Sequence, residues 1–360
     1  MSIALIKYIK KNGLQSLIDK FAIRTKHHTV FQNLVLLKYD QINTPINDIT
    51  RDCRGIILDE NDNWNIVCYT YKRFANYGET WGDEVDFSTV KVYEKLDGSL
   101  CQLYYYNDEW HIATSGTPDG SGEVRGTNIT FAELFWKVWS DLNYQLPANT
   151  NKCFAFELCT PYNRIVVRHK ESDIVLHGAR DLDTLNELNP IIEAHNNNWK
   201  CVKTFSFQSW EDVKSASNNL DPMEDEGYVV CDANYNRAKV KSLAYVNVAH
   251  MKDGFTTRHM LEIVRTNENS EFLLYYPEYI ELYNEISDKY ERMVGEIKEF
   301  YETIKDIDNR KQFATMATTQ KYSGILFGLK FGKIKSIKES LANMNIKYLE
   351  KWLNIKSVPV

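Results

Sequence analysis

At positions 94–100 the chain reads Glu-Lys-Leu-Asp-Gly-Ser-Leu. Strand-like runs flank it, Thr-Val-Lys-Val-Tyr (89–93) before and Cys-Gln-Leu-Tyr-Tyr-Tyr (101–106) after. A lysine held at a strand end can be one solvated charge beside a hairpin turn, or it can be a nucleophile toward phosphorus. The second role makes demands on its surroundings. An ammonium cannot attack until it loses its proton, and desolvation together with neighbouring positive charge is what lowers a lysine pKa. A nucleophilic Lys95 therefore needs other cations near it in a closed pocket. Asp97-Gly98 suits a tight bend under either reading, so the short pattern decides nothing alone.

Other charged residues sit where apolar ones are expected. Lys239 and Lys241 alternate along Ala-Lys-Val-Lys-Ser-Leu-Ala-Tyr-Val (238–246), a run that reads as a strand, so both project from one face. Two like charges there are unfavourable unless an anion lies between them or the strand is a solvated edge. Glu157 lies within the apolar run 153–159, where an unpaired carboxylate would be costly. Glu226 follows Glu224 and Asp225, which read as solvated turn residues. Neither a Ser-His-Asp nor a Cys-His arrangement is legible, and His27-His28 reads as an exposed turn. Residues 117–126 are glycine-rich without phosphate-loop spacing and read as a mobile loop.

The elements that must position these residues follow from patterning. Three hundred and sixty residues favour two domains, and 43% apolar content supports packed cores. The net charge of −6 excludes a uniformly basic surface but not a local basic groove. Seven scattered cysteines without CxxC spacing argue against a disulfide framework or structural zinc and fit a reducing, cytoplasmic setting. The opening 21 residues read as an amphipathic helix with Lys7, Lys10 and Lys11 among its apolar positions, neither a signal peptide nor a membrane span. Short strand-like runs fill residues 30 to 245, with helical patterns at 129–143 and 184–195, which predicts an α+β domain of antiparallel sheets over 1–246. Beyond 247, Leu282, Ile286, Tyr290, Met293, Ile297, Phe300, Ile304 and Ile307 recur at helical spacing, predicting an all-α domain over 247–360. Charge is divided within it: acidic residues dominate 271–310, and nine lysines oppose two glutamates over 311–360. That basic stretch is either a solvated face or a phosphate-binding surface.

Taken in order, Cys-Arg-Gly-Ile-Ile-Leu-Asp-Glu (53–60), Lys-Leu-Asp-Gly-Ser-Leu (95–100), Phe-Glu-Leu-Cys-Thr-Pro-Tyr-Asn-Arg-Ile-Val-Val (156–167), Glu-Gly-Tyr-Val-Val (226–230) and Lys-Val-Lys-Ser-Leu-Ala-Tyr-Val (239–246) resemble the motifs of covalent nucleotidyltransferases. The similarity is to the bacteriophage-type RNA ligase 1 family, strong over about residues 45–250 and weaker into the helical domain. It implies an ATP-grasp-like ligase domain of antiparallel sheets flanked by helices. By the same resemblance Lys95 attacks the α-phosphorus of ATP and becomes adenylylated. Arg54 contacts phosphate or ribose, as suits a guanidinium fork. Glu157 accepts hydrogen bonds from the ribose hydroxyls. Glu226 supports Mg²⁺ (or Mn²⁺), an ion satisfied by one or two carboxylates plus phosphate oxygens. Lys239 and Lys241 neutralise the α-phosphate and favour a deprotonated Lys95. Tyr245, continuing their face, matches a family tyrosine. The sequence departs from the pattern twice: Arg73 stands where a lysine is usual, which retains a phosphate contact, and Ser115 stands where a basic residue is usual.

The resemblance implies an ATP-dependent RNA ligase that joins 5′-phosphate and 3′-hydroxyl ends through lysyl-AMP and an RNA-adenylate, with nicked tRNA as a candidate substrate and the helical domain as its RNA grip. A virus-encoded member would act in host cytoplasm. DNA ligases and capping guanylyltransferases share the lysine chemistry but normally append a β-barrel where this chain is helical. A binding protein without catalysis would be expected to lack Lys95 or Glu226. The sequence sets no oligomeric state, and a monomer would suffice.

Overall fold

The computed structural model describes residues 3–250, 255–267, 269, 272, 273 and 276–358. It divides into two units, residues 1–40 with 44–249 and residues 41–43 with 250–360.

The first unit holds three sheets. Strands β1 (Ile23–His27), β2 (Leu34–Tyr39), β3 (Arg54–Asp59) and β4 (Asn65–Cys68) form an antiparallel meander in that order. Ten further strands follow: β5 (Ala75–Asn76), β6 (Lys91–Lys95), β7 (Ser99–Tyr106), β8 (Glu109–Thr114), β9 (Lys152–Cys159), β10 (Asp173–Asp181), β11 (Glu187–Leu188), β12 (Thr204–Phe205), β13 (Gly227–Cys231) and β14 (Arg237–Lys241). The second sheet has the order β11-β10-β9-β7-β8 and the third β12-β6-β13-β14-β5, antiparallel apart from the parallel β14–β5 pair. The α+β architecture with antiparallel sheets is therefore as expected. Period-two burial explains the layering. On β2, Val35 and Leu37 enter a core with the N-terminal helices, while Leu34 and Leu36 face Tyr104 and Ala113 of the second sheet.

Several local expectations are corrected. Strands β6 and β7 belong to different sheets, so 94–100 is a crossing between sheets and not a hairpin. Gly98 permits that crossing: a Cβ there would stand 2.6 Å from the Leu158 carbonyl. The N-terminal segment is two helices, Ala4–Asn12 and Leu14–Phe21, broken where Gly13 takes φ +82°. The helix expected over 184–195 begins only at Pro190, capped by Asn189, because 187–188 pair as β11. The strand expected over 238–246 stops at Lys241. Buried Ser242 then starts the helix Leu243–His250, whose Val246 N–H donates to the Ser242 carbonyl. His28 is buried, its Nδ1 accepting from the Val30 and Phe31 backbone N–H groups, and is not an exposed turn residue. All seven cysteines are free. No helix among the described residues is long and apolar enough to cross a membrane.

In the second unit the predicted stripe is realised up to Ile304, where the helix ends; Ile307 lies beyond it and packs, partly buried, on the same core. The helix Ile280–Ile304 buries Ile286, Tyr290, Met293, Ile297 and Ile304 against Met260, Leu261, Phe313, Leu326, Leu341 and Leu349. Arg258 grips Glu350 through two hydrogen bonds of 2.8 and 2.9 Å, tying the first described helix of this unit to its last. Replacing Ile297, which is fully buried, by Ala should destabilise this unit by about 2–5 kcal/mol, the range for aliphatic truncation in a packed core. Urea unfolding monitored by helical circular dichroism checks this; an unchanged curve would refute the packing.

Candidate active site

Register on the third sheet brings the predicted lysines together. Gly227 of β13 pairs with Lys95 on one side and Lys241 on the other, and Val229 pairs likewise with Tyr93 and Lys239. The lysines thus share a face, with only a glycine between their strands. Gly227 takes φ +152°, and a Cβ there would lie 2.2 Å from the Val240 carbonyl, so no other residue fits. Into the gap reaches the buried Glu226 carboxylate, 2.5 Å from Lys95 Nζ and 3.6 Å from Lys241 Nζ.

Lys95, Lys239 and Lys241 wall a cavity of about 200 Å³ lined also by Arg54, Phe74, Glu94, Glu157, His177 and Arg237. Two irregularities aim side chains into it. Between Leu37 and Lys38 the β2–β3 register shifts, so that Lys38 faces Arg54 and Gly55 is left over at φ +88°. Without this bulge, Arg54 would share the core face of Ile56. A second shift between Leu176 and Gly178 leaves His177 as the extra residue of β10. Its ring stacks on Tyr71 and its Nε2 stands 3.4 Å from Glu157 Oε2. Arg54 lies over the Tyr71 and Phe74 rings at 5.9 and 5.2 Å, a cation–π setting that leaves its donors to other partners.

The Asp97 carboxylate is an anchor and not merely part of a bend. Its Oδ2 accepts from the Val166 and Val167 N–H groups at 2.8 and 2.7 Å, its Oδ1 accepts from the Tyr245 hydroxyl at 3.0 Å, and His169 Nε2 donates to its carbonyl. Tyr245, on the helix after β14, thus fixes the segment carrying Lys95 from behind and does not line the cavity. Arg73 is likewise outside the cavity lining, stacked between Tyr39 and Trp81 at 4.1 and 5.3 Å. The structure therefore assembles Arg54, Lys95, Glu157, Lys239 and Lys241 around one cavity, with Glu226 bonded to two of them.

Sequence reasoning missed Arg237, His177 and Glu94. Arg237 continues the alternation of Lys239 and Lys241 and could have been found by it. It is buried, and its Nη2 donates to Glu187 at 2.5 Å; Glu187 also receives Arg180 at 2.9 Å, clamping the second and third sheets together below the cavity. No sequence signal marks His177, since a bulge created its orientation. Cys231 also lines the cavity, but burial pushes its thiol up to about 11, so it offers no thiolate nucleophile. A wall with five Lys and Arg side chains, and a carboxylate bonded to two of them, is suited to an anionic phosphate ester. Among the described residues no three or more His, Cys, Asp or Glu side chains gather to hold a metal.

These features define a lysine-lined cavity, and comparison with known proteins supplies the family. Residues 52–251 match the RNA ligase model of the T4 RNA ligase 1 type, and the chain belongs to that family. The family is one of RNA ligases. The chain is 25% identical over 318 residues to an RNA ligase of Rhodothermus phage RM378, covering 70% of this chain and 72% of that protein. It is 27% identical over 293 residues to a putative bifunctional polynucleotide kinase/RNA ligase of Autographa californica nuclear polyhedrosis virus, covering 75% of this chain but 41% of that one. Among solved structures an archaeal ATP-dependent RNA ligase superposes with TM-score 0.46 at 12% identity over 88% of this chain and 89% of its own.

Asp97→Asn replaces one of two oxygens that serve three donors, and should destabilise the first unit by about 1.5–3 kcal/mol, the scale of hydrogen bonds to a charged group. Tyr245→Phe removes one of these bonds and should cost less. All tryptophans but Trp352 lie in the first unit, so fluorescence-detected unfolding reads the effect, and equal stability of Asp97→Asn and wild type would refute the anchor.

Proposed function

We propose that Lys95 carries the ligation as a lysyl-AMP intermediate. The Lys95 Nζ attacks the α-phosphorus of ATP, a nitrogen–phosphorus bond forms and pyrophosphate leaves. The AMP then passes to the 5′-phosphate of an RNA end, and the 3′-hydroxyl of a second end displaces AMP. The observation that carries this reading is the placement of Lys95 on the same cavity wall as Lys239 and Lys241, across Gly227 from Lys241. In-line phosphoryl transfer asks chiefly for positioning and charge neutralisation, which a wall of cations provides without a histidine base.

The roles divide by position. Lys239 and Lys241 hold the α-phosphate, Arg54 holds a neighbouring phosphate, and Glu157 with His177 receives the ribose hydroxyls. Glu226 fits the carboxylate that Mg²⁺ or Mn²⁺ takes beside phosphate oxygens. That ion, when bound, supplies charge neutralisation on the phosphates. Arg73, stacked away from the cavity, has a structural role in this reading. Residues 1–246 serve as the adenylyltransferase domain and 247–360 as the RNA-binding domain, in the cytoplasm, acting on broken RNA such as nicked tRNA. The basic stretch supports this: Lys347 and Lys351 are exposed beside Tyr348, itself 61% exposed, an arrangement of cations and a ring suited to phosphates and bases.

Incubation with α-labelled ATP and Mg²⁺ should give an acid-labile labelled protein, absent in Lys95→Ala; an adduct that persists in that variant, or one formed from GTP and not ATP, would sink the mechanism. Joint Lys347→Ala and Lys351→Ala substitution should weaken binding of a tRNA-sized RNA and lower its log–log salt slope by about 1–2, with adduct formation unchanged. Filter binding over a salt series measures this, and an unaltered slope would remove the surface from the RNA path.

A further inference from the structure

Three cations stand in one row across the first sheet. Arg24 of β1 pairs with Lys38 of β2, and Lys38 pairs with Arg54 of β3. Directly paired residues share a face, and like charges opposite one another are destabilising unless an anion joins them. The outer and inner members have local compensation: Arg24 forms an ion pair with Asp40, and Arg54 packs over the Tyr71 and Phe74 rings at the cavity wall. The middle one does not. Lys38 Nζ lies 3.5 Å from Ser115 Oγ, and no carboxylate among the described residues forms an ion pair with it. It is half-buried, and burial with the Arg24 and Arg54 charges holds its pKa below the ordinary lysine range. Such a cation is a standing electrostatic cost that no ion pair among the described residues offsets.

The bulge at Gly55 is what completes the row. It turns Arg54 onto the face of Leu34, Leu36 and Lys38, the face that packs on the second sheet. Lys38 therefore projects between two sheets, one strand spacing (about 4.8 Å) beyond Arg54, where β8 has just ended and Ser115 offers a hydroxyl. If Lys95 is to reach the α-phosphorus of ATP, with Lys239 and Lys241 beside it, the rest of the triphosphate must extend away from that wall. We infer that Lys38, with Ser115 and Arg54, binds the β,γ-diphosphate of ATP, the pyrophosphate that leaves. A half-buried ammonium between two sheets suits a terminal phosphate better than a continuing RNA strand.

The inference rests on the lysyl-AMP reading. In that step the Lys95 nitrogen–Pα bond forms, the bridging Pα–O bond breaks, its electron pair departs on pyrophosphate, and the amine proton goes to solvent. Lys38 would stabilise the departing charge, and by reversibility would also bind pyrophosphate when lysyl-AMP is converted back to ATP.

The test uses the full-length chain and its Lys38→Met and Lys38→Arg variants; methionine keeps the buried stem, and thermal unfolding confirms that each folds. In Lys38→Met, the KM for ATP in adduct formation and the KM for pyrophosphate in adduct reversal should both rise about 10-fold to 100-fold, the effect of losing one charge-assisted hydrogen bond. Lys38→Arg should restore most of it, and sealing of pre-adenylylated RNA, which involves no pyrophosphate, should be unchanged. Unchanged KM values in Lys38→Met would overturn the assignment. So would a defect confined to sealing of pre-adenylylated RNA, which would place Lys38 on the RNA. A wild-type protein that forms no adduct with ATP would overturn the lysyl-AMP reading and this inference with it.

Discussion

The site depends on gathering like charges on one wall without letting their repulsion open it. Glu226 meets that constraint directly, its carboxylate lying between Lys95 and Lys241. Glu187 does the same one layer below for Arg180 and Arg237. The Glu226 carboxylate is held in a geometry that a side chain on the adjacent Gly227 would disturb, because any Cβ there collides with the neighbouring strand. In a partly buried setting such pairs matter less for what they add than for what their loss would leave, an uncompensated charge away from water.

Around this electrostatic centre the backbone departs from regularity where function needs it. The bulges in the β2–β3 and β9–β10 pairs each rotate one side chain, Arg54 and His177, from a position set by strand alternation into the cavity. Glycines make the neighbouring approaches feasible: a Cβ on Gly178 would lie 1.8 Å from the Tyr71 hydroxyl oxygen, which itself donates to the His177 carbonyl. Asp97 then locks the segment that carries the nucleophile to residues 166–167 and to the helix bearing Tyr245. Positioning of this kind is what in-line phosphoryl transfer rewards, since misplacement of the reacting atoms by an ångström is costly.

The second unit follows simpler rules. Its core is a continuous apolar cluster gathered on the long helix Ile280–Ile304, and its surface divides its charge unevenly along the chain. Some of the basic stretch serves internal contacts: Lys338 pairs with Glu291 at 2.6 Å, and Lys321 Nζ donates to the Trp352 carbonyl at 2.8 Å. The exposed lysines beside Tyr348 are not spent in this way.

Much was legible in the sequence because its signals are local. The helical stripe from Leu282 to Ile304 and the strand character of most of residues 30–245 depend on period and burial cost, which a single chain displays, while the ordered motifs around Arg54, Lys95, Glu157, Glu226 and Lys239 were legible through their resemblance to a known family. What lay beyond it depends on pairing between distant strands. That β6 and β7 join different sheets, that Gly227 stands between Lys95 and Lys241, and that Asp97 is an anchor follow from register, which no local pattern encodes. Tyr245 was misplaced for the opposite reason. Its period-two spacing from Lys241 suggested a strand, yet Ser242 begins a helix there, a start signal present in the sequence and outweighed by the run of alternation. Sequence alone determined which chemistry the chain could perform; the tertiary structure decided which charges face one another, because repulsion and compensation are properties of distance through space.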